Sequence, residues 1–177
     1  MKFKVNEITI IGITAALMVA IGYILYVTGS FLPIPGSKFL MFSPFLGFIL
    51  TMPIYKIRRM GVLSAISFVF GIIMSSISIF MGLSILASGI FTDLLSKILF
   101  KNYNSNQKII LSIGFYPMFS LINSFLVGLY ITGNKAFALD GGYDMLGIVS
   151  CIIYALGVLG SYAALKVLPS RIMKERC

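Results

Sequence analysis

Apolar runs of membrane-spanning length dominate this chain and constrain its fold more than any other feature. Six such runs follow one another, over residues 8–27, 39–55, 61–77, 79–99, 109–132 and 145–168. Each is close to the about 20 residues that an α-helix needs to cross a bilayer. The runs are continuously apolar rather than alternating at every second residue, which favours helices over the strands of a membrane barrel. The sequence predicts an all-α integral membrane protein, a compact bundle of six transmembrane helices.

The composition leaves little of the chain for anything but this bundle. Of the 177 residues, 59% are apolar and 11% are charged. The mean hydropathy of +1.02 is too high for the surface of a water-soluble domain. We therefore expect residues 1–177 to form a single six-helix transmembrane domain without a separate soluble unit.

The basic residues indicate how such a bundle is oriented. With six spans, all of the 14 Lys and Arg residues except Lys38 and Lys135 lie on one side. By the positive-inside rule, both termini are then cytoplasmic in a multi-pass protein of the cell membrane. The net charge of +9 is explained by this orientation, and we expect no nucleic-acid partner.

The chain is poor in groups that carry out chemistry. It has no histidine and only five carboxylates, so a Ser-His dyad, an HExxH zinc site and a His-ligated haem are excluded. It also has no GxxxxGK[ST] phosphate-binding loop. We expect a protein that is not an enzyme, without catalytic residues, cofactor or metal. Asp93 precedes Lys97 by four residues, a spacing that predicts an ion pair along one helix.

Neutral polar residues form stripes on the last three predicted helices, and we expect these stripes to face inward. A single serine in such a stripe is explained by hydrogen bonding within its own helix or to a neighbouring helix. Asn123 is different, because a carboxamide has four hydrogen-bonding positions that must be met by a partner or a cavity. The stripe on the fourth helix consists of Ser84, Ser88, Thr92 and Ser96.

Two loops on the side with few charges suggest a cavity that opens there. Residues 29–38 contain two prolines, and residues 133–144 mix aromatic, amide and charged groups with a Gly-Gly pair. The second loop has the composition of a lid over a small ligand, although an ordinary solvated loop is the alternative. Pro44 predicts that the second helix is short, with an unwound start beside this cavity.

The first helix has a thin edge. Gly12, Ala16 and Ala20 lie four residues apart, and small residues in membrane helices let another helix approach closely. Two interpretations remain open at this point, namely packing within the bundle and docking of another protein.

These features resemble the substrate-binding S-component of an energy-coupling factor (ECF) transporter over the whole chain. The resemblance rests on six short helices with both ends inside, the Ala-xxx-Ala edge and the proline-containing first outer loop. Within the family, the chain is similar to the uncharacterised MPT/Trep_Strep-like branch. The stretches that carry this second likeness are Met-Pro-Ile-Tyr-Lys at 52–56, Arg-Met-Gly at 59–61, and Ala-Ser-Gly-Ile-Phe-Thr-Asp-Leu-Leu-Ser-Lys at 87–97.

The resemblance implies an importer subunit that captures a small vitamin-like micronutrient outside and topples in the membrane to release it inside. It implies a transmembrane T-component that docks on the edge at Gly12, Ala16 and Ala20, driven by two cytoplasmic ATPases. It places the ligand among the first outer loop and the outer parts of helices four to six. In this chain, that region contains Lys38, Ser84, Asn123, Tyr130, Asn134, Asp144, Ser150 and Tyr154.

With so few basic groups outside, a small heteroaromatic ligand is expected rather than a polyanion. The alternative function is a small channel or a non-transporting assembly partner, in which the thin edge is a seam between copies of this chain.

Overall fold

The computed structural model describes residues 4–29, 37–131, 133 and 142–172, and this part of the chain is helical without strands. The order of its helices is that of the six apolar runs, so the prediction of an all-helical chain is confirmed. The elements are α1 (Val5–Gly29), α2 (Ser37–Ile57), α3 (Val62–Ser75), α4 (Ile79–Phe100), α5 (Asn106–Leu126) with a short π-helix (Val127–Ile131), and α6 (Gly142–Ile172).

Five of the six α-helices are long and apolar enough to cross a membrane. The remaining helix, α3, has 14 residues. At about 1.5 Å per residue it is about 21 Å long, which is less than the thickness of a bilayer core, about 30 Å. The predicted break between the third and fourth runs is confirmed, since α3 ends at Ser75 and α4 begins at Ile79. The described chain is compatible with a multi-pass helical membrane protein.

Helix α2 corrects one prediction. It runs without interruption from Ser37 to Ile57 through Pro44 and Pro53, so the expected unwound start is wrong. A proline removes only one backbone donor, and helix interiors in membrane bundles tolerate it where neighbouring chain accommodates the change. Here that neighbour is α6, because a Cβ added to Gly160 would overlap the carbonyl oxygen of Pro44.

Glycines allow close contact between helices at two further places. A Cβ on Gly47 of α2 would overlap the carbonyl of Gly157 in α6, and one on Gly89 of α4 would overlap the Ser67 side chain of α3. Glycine is the residue that permits such approach between membrane helices. The hydroxyl oxygens of Thr51 and Ser161 are then 2.8 Å apart across the α2–α6 contact.

The packing leaves a large apolar surface facing outward. Leu50, Ile66 and Ile113 are fully buried between the helices, whereas Ile24 and Leu159 are about as exposed as surface residues of a soluble protein. Exposed large apolar side chains occur on every α-helix from α1 to α6. Large apolar side chains exposed on every helix are typical of lipid contact.

One end of the bundle gathers the described basic residues, and we call it the basic end. Arg59 Nη1 lies 3.4 Å from Glu7 Oε2, and Arg58 Nη1 donates to the carbonyl of Asn104 at 3.5 Å. These contacts join the start of α1, the α2–α3 turn and the α4–α5 turn. The charge segregation expected from the sequence is seen here, while the side of the membrane that this end faces stays a prediction. Its basic residues include Lys4, Lys56, Arg58, Arg59, Lys97, Lys101 and Lys108.

Candidate functional site

Ser84, Ser88, Asn123 and Ser124 form a hydrogen-bonded group between α4 and α5, which we call the α4–α5 polar cluster. Asn123 Nδ2 donates to Ser88 Oγ at 3.0 Å, and the hydroxyl oxygens of Ser84 and Ser124 are 3.3 Å apart. Ser84 lies near the start of α4 and Asn123 near the end of α5. The cluster therefore lies in the half of the bundle away from the basic end.

The local sequence explains which groups of this cluster remain available. Serines four residues apart lie on one helix face, and Ser88 donates its own hydroxyl proton to the carbonyl of Ser84 at 2.7 Å. Its oxygen is then free to accept the bond from Asn123. Within the described chain, the Oδ1 atom and the second N–H of Asn123 have no hydrogen-bond partner. The cluster thus offers a neutral acceptor beside a neutral donor.

The inward orientation is confirmed for the stripes on α4 and α6, whereas Ser120, Asn123 and Ser124 on α5 are only partly buried. Ser84, Ser88, Thr92 and Ser96 on α4 are all buried, as are Ser150 and Ser161 on α6. Of the predicted ligand-binding residues, the cluster brings together Ser84 and Asn123. The sequence pattern gave a signal for Ser88 and Ser124 as well, because both lie in the predicted stripes, but neither was among the predicted ligand-binding residues.

Two other predicted ligand-binding residues, Ser150 and Tyr154, make their hydrogen bonds apart from the cluster. The Ser150 hydroxyl donates to the carbonyl of Leu146 at 2.6 Å. The Tyr154 hydroxyl donates to the carbonyl of Leu111 at 3.4 Å, and its ring lies 4.9 Å from that of Phe115. Tyr130 is exposed in the π-helix.

The remaining predicted residues lie outside the described side chains. Lys38 and Asp144 belong to the first turns of α2 and α6, but their side chains are not among those described, and Asn134 lies outside the described residues altogether. The predicted first loop, over residues 30–36, also lies outside the described residues. Of the lid predicted at 133–144, the structure describes only Gly133 and the backbone of the first turn of α6.

Asp93 makes a second buried polar site, nearer the basic end, and corrects another prediction. Its carboxylate is 8% exposed and is not within ion-pair distance of Lys97, since the ion pair in the described chain is Arg59–Glu7. Instead, Asp93 Oδ2 accepts hydrogen bonds from the backbone N–H and the hydroxyl of Ser64, both at 2.7 Å. The expected i,i+4 pair is therefore wrong.

The reason lies in the start of α3. The residue at its N-cap position, Gly61, has no side chain to accept a bond from the first-turn N–H groups. Carboxylates are stabilised at this positive end of a helix, so Asp93 on α4 caps α3 from outside. The hydroxyl of Tyr103 adds a bond to Asp93 Oδ1 at 3.3 Å. Burial and the neighbouring negative charge raise the pKa of Tyr103 above its usual range.

The thin edge of α1 faces away from the bundle. Gly12, Ala16 and Ala20 are exposed, and a Cβ added to Gly12 would meet no atom within 4 Å. The buried face of α1 is instead formed by Ile11, Ala15 and Met18. The edge is thus not used for packing among the described residues, in contrast to the glycines between α2 and α6.

The described part of the molecule therefore has three features of functional interest: the α4–α5 polar cluster, the Asp93 cap and the exposed edge of α1. No group of three or more His, Cys, Asp or Glu side chains that could hold a metal ion occurs within that part. No family model, curated protein or solved structure matches the chain.

Proposed function

We propose that this chain is the membrane-embedded substrate-binding subunit of an ECF-type ABC importer. The observation that carries the proposal is the outward-facing edge of Gly12, Ala16 and Ala20 on α1. A helix that keeps small residues on a face with no contact in its own bundle is suited to close approach by a helix of another protein. The partner proposed for this edge is a transmembrane T-component, which two cytoplasmic ATPase subunits drive.

The separation of this edge from the polar cluster supports the same proposal. Helix α1 packs mainly against α2 and α3, whereas the cluster lies between α4 and α5. Ligand capture and partner docking can therefore occupy different faces at the same time. In the proposed cycle, the ligand is captured at the end away from the basic end, and the subunit then topples to release it on the other side.

The α4–α5 polar cluster supports a small neutral ligand. Asn123 offers one donor and one acceptor without a partner in the described chain, and the neighbouring groups are hydroxyls rather than charges. A heteroaromatic ring with adjacent donor and acceptor atoms matches this arrangement, because a carboxamide can bond both atoms at once. A vitamin-like micronutrient of this class is the proposed cargo.

Purification from native membranes tests the proposal. The tagged full-length chain is extracted in mild detergent, and mass spectrometry identifies the proteins and small molecules that accompany it. We expect a T-component, two ATPase subunits and an enriched metabolite. Repeated recovery of the chain alone, self-associated and without a metabolite, would instead favour the small channel or assembly partner, with the α1 edge as the seam between copies.

A further inference from the structure

Two short turns at the basic end present cationic side chains to the surroundings. Arg58 lies between α2 and α3, Lys101 lies between α4 and α5, and both are exposed. The turns are in contact, because Arg58 Nη1 donates to the carbonyl of Asn104 at 3.5 Å. The guanidinium of Arg58 also lies 5.0 Å from the centre of the Tyr55 ring. The two turns thus lie side by side at the basic end, and we call them the turn pair.

The positive charge of the turn pair is not neutralised within the described chain. Glu7 is already paired with Arg59, and Asp93 is buried against the start of α3. Arg58 and Lys101 have no carboxylate within ion-pair distance among the residues described. An anionic partner would therefore meet cations that are exposed and uncompensated.

The backbone at the same two residues is unusual. Arg58 has a φ of 49° and Lys101 a φ of 59°, and no other non-glycine residue in the described ranges has a positive φ. Each residue follows the end of a helix, a position where glycine is preferred because it adopts this conformation without strain. The chain keeps a cationic side chain at both positions despite the strain, and strained residues of this kind cluster at functional sites.

The neighbouring residues indicate the depth of this surface in the membrane. Ile98 and Leu99, just before Lys101, are 65% and 53% exposed. The exposed apolar surface of α4 therefore reaches the level of its cations, Lys97 and Lys101. That boundary is the level at which acyl chains meet lipid headgroups, and basic side chains there attract anionic lipids.

We propose that the turn pair is a binding site for the phosphate headgroup of an anionic phospholipid. The guanidinium fork of Arg58 suits the oxygens of a phosphate, while Lys101 adds a point charge from the second turn. The acyl chains would lie along Ile98 and Leu99. This inference concerns a lipid site and is independent of the importer function proposed above.

The test measures lipid binding by the purified full-length chain in detergent. Phosphatidylglycerol or phosphatidylcholine with the same acyl chains is titrated in, and the thermal unfolding midpoint is followed by circular dichroism. We expect phosphatidylglycerol to raise the midpoint more than phosphatidylcholine does. Arg58→Gln and Lys101→Gln should each weaken phosphatidylglycerol binding about fivefold, and the double variant about 30-fold.

Lys166→Gln is the matched control, because Lys166 is an exposed cation on α6 outside the turn pair. It should leave phosphatidylglycerol binding within about twofold of the wild type, because Lys166 belongs to neither of the two turns. An equal response of the wild type to both lipids, or equal weakening by Lys166→Gln, would overturn the proposal. Stabilisation by inorganic phosphate alone, at the same concentration as the lipid, would overturn it in favour of a small-anion site.

Discussion

Replacing Asp93 removes the cap that α4 provides to α3. The carboxylate accepts two bonds from Ser64 at 2.7 Å and one from Tyr103 at 3.3 Å. Asp93→Ala leaves these donors without a partner in a buried place, so we expect a loss of about 3–5 kcal/mol in the free energy of unfolding. Asp93→Asn keeps an acceptor of the same shape but loses the charge, and should cost about 1–2 kcal/mol.

Unfolding in mixed micelles by increasing sodium dodecyl sulfate, followed by far-ultraviolet circular dichroism, measures both variants. Lys97→Gln is the control, because Lys97 is exposed and has no ion pair with Asp93. It should change stability by less than about 0.5 kcal/mol. The reasoning is refuted if Lys97→Gln destabilises the protein as much as Asp93→Asn does, or if Asp93→Ala is no worse than Asp93→Asn.

Three further predictions concern the backbone contacts, the strained turn and alkaline pH. Gly160→Ala should destabilise the bundle by about 1–3 kcal/mol, because its Cβ would overlap Pro44. Gly12→Ala lies at an open helical position and should be neutral or stabilise the bundle by up to about 1 kcal/mol. The same titration with sodium dodecyl sulfate compares the two variants. Lys101→Gly should stabilise the fold by about 1 kcal/mol, because glycine relieves the strain of a φ of 59°, and an unchanged or lower thermal midpoint would contradict this. Because the pKa of Tyr103 is raised in the folded state, its phenol keeps its proton there at a pH at which it ionises in the unfolded chain. The free energy of unfolding should therefore fall as the pH rises above about 10. Tyr103→Phe should make this fall shallower, and identical pH profiles of the two proteins would contradict the prediction.

The number, order and approximate bounds of the helices could be predicted from the sequence, because apolar length is a local signal. The short α3–α4 connection was predicted by the break between the apolar runs at 61–77 and 79–99, and the structure confirms it. The inward faces of α4 and α6 were also predictable, since polar residues recur with the period of a helix. These predictions needed no knowledge of which helices are neighbours.

The hydrogen-bond and packing partners of individual side chains could not be predicted from the sequence in the same way. The spacing of Asp93 and Lys97 suggested a pair along one helix, but the carboxylate instead caps α3, which lies beside α4 only in the folded bundle. Pro44 predicted an unwound start of the second helix, yet α2 is continuous there and lies in close contact with Gly160. Asn123 had to face a partner, but its choice of Ser88 depends on how α4 and α5 pack.

The central claim is that the exposed edge of α1 docks a transporter partner, and one comparison tests it most directly. Tagged wild type, Ala16→Leu/Ala20→Leu and the control Leu83→Phe/Ile90→Phe are purified in parallel from native membranes, and the bound T-component and ATPases are quantified. The control residues are exposed on α4, away from the edge. We predict that the wild type and the control recover the module in equal amounts, while the α1 variant loses it and remains folded by circular dichroism. Equal recovery by a folded α1 variant would contradict the account.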